Sequence, residues 1–297
     1  MNRFIIPPIK SQGIKTKLIP FISSVVPEVQ VGRWIEPFMG TGVVGFNLAA
    51  SRALMADANP HIVRFYSALQ SGEITSGIVR RFLEEEGRTL SSSDGKHYYE
   101  MRDRFNREGA PLDFLFLSRA CFNGMMRFNS KGGFNVPFCR KPERFAPAYI
   151  TKITNQVALV QDRIMNYQFE FQVATYLDTI SQATEGDLIY CDPPYLGRHV
   201  DYFNSWTESD ELLLAEALKS TKASFILSTW SHNAWRSNPI LTEVWGDYPQ
   251  ITQEHFYHVG AREANRQGMT EALVFSSNLE PIQESPKSEQ TILDLVF

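Results

Sequence analysis

Apolar residues recur in two rhythms along the chain, and the changes between them divide it. Helical spacing over 15–26 predicts an opening helix. A short apolar strand in "VGRWIEPF" (31–38) runs into "MGTGVVGFNLAA" (39–50), where Gly40 and Gly42 open a second helix. The next strand, "ALMAD" (53–57), ends on Asp57. A strand, a glycine turn, a helix and a strand with an acid at its end outline a nucleotide-binding βαβ unit, and hence an α/β fold with a Rossmann-like sheet.

From about 61 to 147 the pattern turns helical, in "IVRFYSALQSG", "GIVRRFLEEEG", "KHYYEMRDRFNRE" and "PLDFLFLSRACFNG". "NGMMRFNSKGGFNVPF" then places turn residues between two aromatic stretches and predicts a β-hairpin or loop over about 122–138. Alternation resumes with a helix over 148–165 and strands at "QFEFQVA", "DLIYC", "SFILSTW", "EHFYHV" and "TEALVFS". The expected organisation is one α/β domain in two segments, 1–60 and 148–276, with a helical and hairpin insertion at 61–147. A polar tail follows at 277–297.

"DLIYC" is followed at once by "DPPY" (192–195), two prolines that permit neither more strand nor an immediate helix. In open α/β sheets ligands sit beyond the carboxyl ends of the strands. The glycine turn, Asp57 and the segment Asp192, Pro193, Pro194 and Tyr195 all fall at such ends. The pair of prolines stiffens a corner that presents a carboxylate and a phenol to the cleft.

With 297 residues, 43% of them hydrophobic and 21% charged, the chain reads as a soluble globular protein. The opening "MNRFIIPPIK" has no signal-peptide pattern, and no run of about eighteen apolar residues suggests a membrane span. Cys121, Cys139 and Cys191 lack paired spacing, which points to a reducing cytoplasm and to neither a disulfide framework nor a zinc site. His255 and His258 form an H-x-x-H without a nearby acid or thiol set, so no metal is expected. The net charge of −4 hides a local excess. Over 119–152, Arg119, Arg127, Lys131, Arg140, Lys141, Arg144 and Lys152 face only Glu143, a distribution suited to a polyanion or to an ordinary solvated surface.

"EPFMGTG" followed, after an insertion, by "DPPY" resembles the α group of amino-methylating DNA methyltransferases, which includes the Dam-like (D12 class) adenine methylases. The likeness runs from "IKSQGIKTK" to "EALVF", over nearly all of 7–276, and is closest to the EcoRV-type modification methylases. It implies transfer of a methyl group from S-adenosyl-L-methionine to N6 of an adenine flipped out of double-stranded DNA. The site would be GATATC-like or contain GATC. The implied setting is restriction–modification, with any cognate endonuclease not in direct contact, or an orphan or phage methylase.

By the same resemblance Phe38, Gly40 and Gly42 pack on the methionine part of the cofactor, Asp57 holds its ribose, and Ser11, Gly13 and Lys15 close over it. Ser11 departs from the family's aromatic, so a stacking contact is lost or supplied elsewhere. Asp192, which also borders the cofactor, and Pro193 hold the target amine, with Tyr195 beneath the base. Cys191 has no role.

In the insertion Arg127 contacts a guanine, Phe122 fills the space of the flipped base beside Asn123, and Met125, Asn129 and Pro137 lie near base edges. Lys10 reads a flanking base, and Arg198 and His199 touch the target strand. Arg119, Lys131, Arg140, Lys141 and Arg144 are expected on phosphates, Phe128 in hairpin packing, and Arg262 and Arg266 are weaker candidates. Enzymes of this fold that act on cytosine N4, RNA or a glutamine amide more often carry Ser or Asn before the proline pair. A non-catalytic DNA-binding descendant would have a decayed cofactor pocket.

Overall fold

The computed structural model describes residues 4–11, 13–195, 206–233, 235–256 and 268–281. Its centre is a seven-stranded sheet. The strands are β1 (Trp34–Glu36), β2 (Arg52–Asp57), β3 (Gln168–Val173), β4 (Leu188–Cys191), β5 (Ser224–His232), β6 (Gln250–Phe256) and β7 (Gly268–Phe275), in the order β3-β2-β1-β4-β5-β7-β6. The first five are parallel, and β7 runs antiparallel between β5 and β6. β1 and β4 are buried along their whole length, which is why they read as short unbroken apolar runs.

The chain builds outward from β1 to β2 and β3, then returns to add β4 and β5 on β1's other side. Strand order therefore reverses between β1 and β4, where a crevice opens at the carboxyl ends. The glycine turn leaves β1 there and Asp192 leaves β4 there.

The opening helix α1 (Ile19–Ser23), with a 3-10 turn at Thr16–Leu18, is shorter than the span expected. α2 (Val43–Leu48) follows the glycine turn. α3 (Pro60–Ser71), α4 (Ser76–Ser92), α5 (Lys96–Glu108) and α6 (Pro111–Ala120) form the insertion, and α7 (Pro147–Asn166) leads back to the sheet. Asn59 caps α3, its side chain accepting from the His61 amide at 3.0 Å, with Pro60 at the first turn.

Several elements differ from the sequence reading. α6 stops at Ala120 rather than near 124, because its cap Cys121 takes extended backbone (φ −72°, ψ 162°) and Asn123 and Gly124 beyond it take left-handed φ of 54° and 64°. The 122–138 segment, expected as a hairpin or loop, reverses direction through the isolated antiparallel pairs Cys121–Phe138 and Phe128–Phe134, its glycines and asparagines interrupting a continuous ladder. Helices α8 (Tyr176–Ile180), α9 (Glu208–Ser220) and α10 (Ile240–Glu243) were not anticipated, although Thr207 and Asp210 make a reciprocal capping box at the start of α9. β6 also begins earlier than expected, at Gln250.

One apolar cluster joins Trp34 and Phe46 on the sheet side to Leu83, Phe114 and Ile150 of the helices, so the insertion shares its core with the sheet. The opposite face packs Ile35, Leu54 and Ile189 under Leu214 and Trp245.

Gly42 sits at φ 75°, and a Cβ there would lie 2.5 Å from the Phe46 ring. The left-handed conformation alone costs an alanine about 1–2 kcal/mol. Gly42→Ala is therefore expected to lower Tm by about 2–8 °C. Thermal unfolding checks this, and an unchanged Tm contradicts it.

Candidate active site

A cavity of about 470 Å³ lies at the reversal, within the usual size range of small-molecule sites. One wall carries Phe38, Gly40, Asp57 and Asn59, and the other carries Asp192, Pro193, Pro194 and Tyr195. Ser11, Gly13 and Lys15 line it from the N-terminal segment, and Met125 and Arg127 from the insertion. Segments far apart in the chain thus meet where the sheet order reverses. Gly42 shapes the turn from behind, bonding its amide to the Met39 carbonyl at 2.6 Å, and is not among the lining residues.

Gly40 has φ 49°, with open space where a Cβ would point. Its amide donates to Asp57 Oδ2 at 2.9 Å while the Asn59 amide donates to Oδ1 at 2.8 Å. This two-amide fork fixes the carboxylate plane and leaves each oxygen a further lone pair. Burial pushes Asp57 up to about 6 against the pull of those amides.

Phe38 stacks on Tyr176 at 5.4 Å and meets Trp206 edge-on at 5.5 Å. Glu36, buried, accepts from Trp34 Nε1 at 2.9 Å and is pushed by desolvation up to about 8. The buried Tyr190 hydroxyl lies beside Ser228 without completing a hydrogen bond.

On the opposite wall Lys15 Nζ lies 3.2 Å from Asp192 Oδ1 and 3.4 Å from Glu271 Oε2. It also donates to the Tyr195 hydroxyl at 2.5 Å, which in turn donates to Glu271 Oε2 at 2.5 Å. Lys15, expected over the cofactor, therefore stands at the Asp192 corner. Desolvation pushes Asp192 up to about 6, Lys15 opposing and Glu271 adding to the shift. Burial first, then Glu36 and Asp192, holds the Cys191 thiol well above its ordinary value, in keeping with an inert residue.

The DNA-side candidates divide. Arg127 is braced by Asn135, with Nε to Oδ1 at 2.8 Å and Nη2 to the backbone oxygen at 3.4 Å. Phe122, Asn123 and Pro137 are exposed outside the cavity. Asn129 Oδ1 accepts from the amides of Lys131 and Gly133, both at 2.9 Å, so its oxygen holds the turn. Lys10 packs against Gly124, where a Cβ would lie 3.1 Å from its chain. Burial, then the neighbouring Arg119, Arg144 and Lys152, lowers Lys10 to about 8.

Arg119 is buried and bonded to Gln156, which removes it from the surface set. Phe128 is core, stacked on His61 at 5.3 Å. Arg198, His199, Arg262, Arg266 and His258 lie outside the described residues. Among the described residues no His, Cys, Asp and Glu group could hold a metal, and no helix is long and apolar enough to cross a membrane.

Sequence reading missed Glu271, Tyr176, Tyr190 and Trp206 as neighbours of the site and passed over Glu36. An acid inside an otherwise apolar strand was the available signal for Glu36 and Glu271.

Strand order, glycine turn and proline corner together define a Rossmann-like α/β fold with its ligand crevice at the reversal of strand order. The sequence matches the model of the D12 class N6 adenine-specific DNA methyltransferases over residues 11–264, and the chain belongs to that family. It is 30% identical to a DNA adenine methylase of Vibrio cholerae, over 72% of this chain and 76% of that protein. It is 27% identical to the Type II methyltransferase M1.LlaDCHI of Lactococcus lactis subsp. cremoris, over 89% and 93%. With the Type II methyltransferase M.FokI of Planomicrobium okeanokoites it shares 28% identity over 92% of this chain, spanning 43% of that longer protein.

Proposed function

We propose that this adenine-specific DNA methyltransferase takes its methyl group from S-adenosyl-L-methionine and delivers it to N6 of an adenine turned out of duplex DNA. The observation that carries the proposal is the single cavity shared by the Gly40–Asp57 wall and the Asp192–Tyr195 wall. The residues present suit that cofactor. Asp57 offers free acceptor lone pairs for a pair of hydroxyls, and Gly40 leaves its approach clear. The Phe38, Tyr176 and Trp206 rings, Phe38 stacked on Tyr176 and Trp206 edge-on to both, give the aromatic contact that Ser11 does not.

Bound there, S-adenosyl-L-methionine would supply a sulfonium-borne methyl group open to direct attack by the adenine nitrogen, with the neutral thioether as leaving group, so no enzyme nucleophile is needed. That nitrogen is a weak nucleophile because its lone pair is delocalised into the ring. The Asp192 carboxylate and the Pro193 carbonyl, as acceptors, fix both its N–H groups and aim the lone pair. Tyr195 gives the extruded base a ring face, a contact worth about 1–3 kcal/mol in single-strand binders. Extrusion costs a few kcal/mol. Positioning more than acid–base chemistry then sets the rate.

Lys10, Phe122, Asn123, Met125, Arg127, Asn129 and Pro137 face the duplex in this reading, with Arg198 and His199 on the target strand. A GATATC-like site is the leading assignment and a GATC-containing one the second. One base is modified at a time, so no endonuclease need be in contact. The experiment is product analysis and position-resolved sequencing of DNA from cells expressing the protein. N6-methyladenine within one such sequence is expected; label in cytosine or RNA overturns the proposal.

Asp192 offers both oxygens as strong acceptors only when ionised, and burial pushes its pKa up to about 6. At saturating cofactor, which removes the contribution of Asp57, kcat/KM for DNA should fall about tenfold per unit below that pH. A profile flat down to about pH 5 contradicts an ionised Asp192.

A further inference from the structure

Glu271 has no part in the reaction as described above, yet it is 1% exposed in the interior. It sits in β7 on the face shared with Met269, Leu273 and Phe275, where the period-two pattern calls for an apolar side chain. A buried carboxylate is expensive, and well-packed apolar residues in place of a buried ion pair are often no less stable. Fold stability is therefore a poor account of an acid at this place. Its neighbours suggest a better one.

Glu271 Oε2 accepts from the Tyr195 hydroxyl at 2.5 Å and lies 3.4 Å from Lys15 Nζ. The same ammonium reaches Asp192 Oδ1 at 3.2 Å. Two carboxylates thus share one cation across the corner that receives the base, and the phenol is held between that cation and Glu271.

We infer that Glu271 is a positioning residue for the base-holding corner: it anchors the Tyr195 hydroxyl and gives Lys15 a second carboxylate, leaving Asp192 free to accept the incoming amine. The inference rests on the functional reading above and deepens it. Lys15 covers one acceptor atom of Asp192 before the base arrives. When the amine takes that atom, the buried ammonium keeps a counter-ion because Glu271 is already beside it. Remove Glu271, and Asp192 must serve both the ammonium and the base. The Tyr195 hydroxyl also loses its carboxylate acceptor and keeps the bond from Lys15, so its stacking plane is held less firmly.

The test uses the full chain, duplex DNA, and Glu271→Gln, Glu271→Ala, Tyr195→Phe and the double variant Glu271→Ala/Tyr195→Phe. Turnover is counted per active molecule by active-site titration, alongside KM for DNA, cofactor affinity and Tm. Glu271→Ala is expected to lower kcat about ten- to a hundredfold with cofactor affinity essentially unchanged. Glu271→Gln, which keeps an acceptor for the phenol but loses the charge, should lie between Glu271→Ala and wild type. Tyr195→Phe should cost less in the Glu271→Ala background than in wild type, because the phenol there has already lost one of its two partners and keeps the bond from Lys15.

A merely structural role would lower Tm without changing kcat per active molecule. Wild-type kcat in both Glu271 variants, or strictly additive losses in the double variant, overturns the assignment while the functional reading stands. A wild type that forms no N6-methyladenine overturns the reading itself, and this inference with it.

Discussion

Asp192→Ala is expected to abolish methyl transfer to duplex DNA, lowering kcat at least about a hundredfold, the scale seen when one preorganised polar contact is removed from a reacting group. Cofactor affinity should change less than about tenfold, because the Asp57 fork and the Phe38–Tyr176–Trp206 rings stand on the other wall. The Lys15 ammonium does not become an orphan in this variant, since Glu271 remains 3.4 Å away, so the loss is not an indirect effect of a stranded charge. Asp192→Asn sharpens the test. It keeps the shape and one acceptor oxygen but loses the charge and the second acceptor, and should fall between alanine and wild type. Steady-state kinetics with parallel calorimetry decide: near-normal turnover, or a loss due wholly to cofactor affinity, removes Asp192 from the clamp.

Arg127→Ala is expected to relax the enzyme's choice at one guanine by about 1–3 kcal/mol, or about 5–150-fold in kcat/KM between cognate and substituted duplexes. Recognition of a guanine edge requires a guanidinium fork held in one plane. Asn135 supplies that restraint through Nε at 2.8 Å, while its own amide bonds back to the Arg127 carbonyl at 3.2 Å. Asn135→Ala should therefore give a weaker form of the same phenotype, and Arg127→Lys should not rescue it, because an ammonium cannot make the bidentate contact. Sequencing of methylated positions measures the relaxation directly. Uniform weakening on every duplex, with a shallower salt dependence, would instead mark Arg127 as a phosphate contact.

The parallel strands, the glycine turn, Asp57 and the Asp192 corner were legible because each is governed by local chemistry. Buried strands must be apolar, and prolines must end them. Left-handed turns such as those at Gly40 and Gly42 favour glycine. The rest depended on contacts between distant segments. No spacing in the sequence joins Lys15 to Glu271, 256 positions away, or Phe38 to Trp206. Arg119 reads as one more member of a basic stretch and is instead buried against Gln156, because α6 carries it into the shared core. The 122–138 segment reads as a hairpin or loop from its turn residues, and its pairing stays at isolated positions because Asn129 is spent on the turn amides and Phe128 packs on His61, contacts that no spacing announces. α9 was missed although its capping box was readable at Thr207 and Asp210.

The central claim is that an extruded adenine is held by its amine at the Asp192–Pro193 corner. A crystal structure with a duplex carrying the methylated sequence and a non-reactive cofactor analogue tests it most directly. The expected result places N6 within hydrogen-bonding distance of the Asp192 carboxylate and the Pro193 carbonyl, with the purine on the Tyr195 ring. An adenine still stacked in the duplex, and a corner closed by protein side chains, would contradict it.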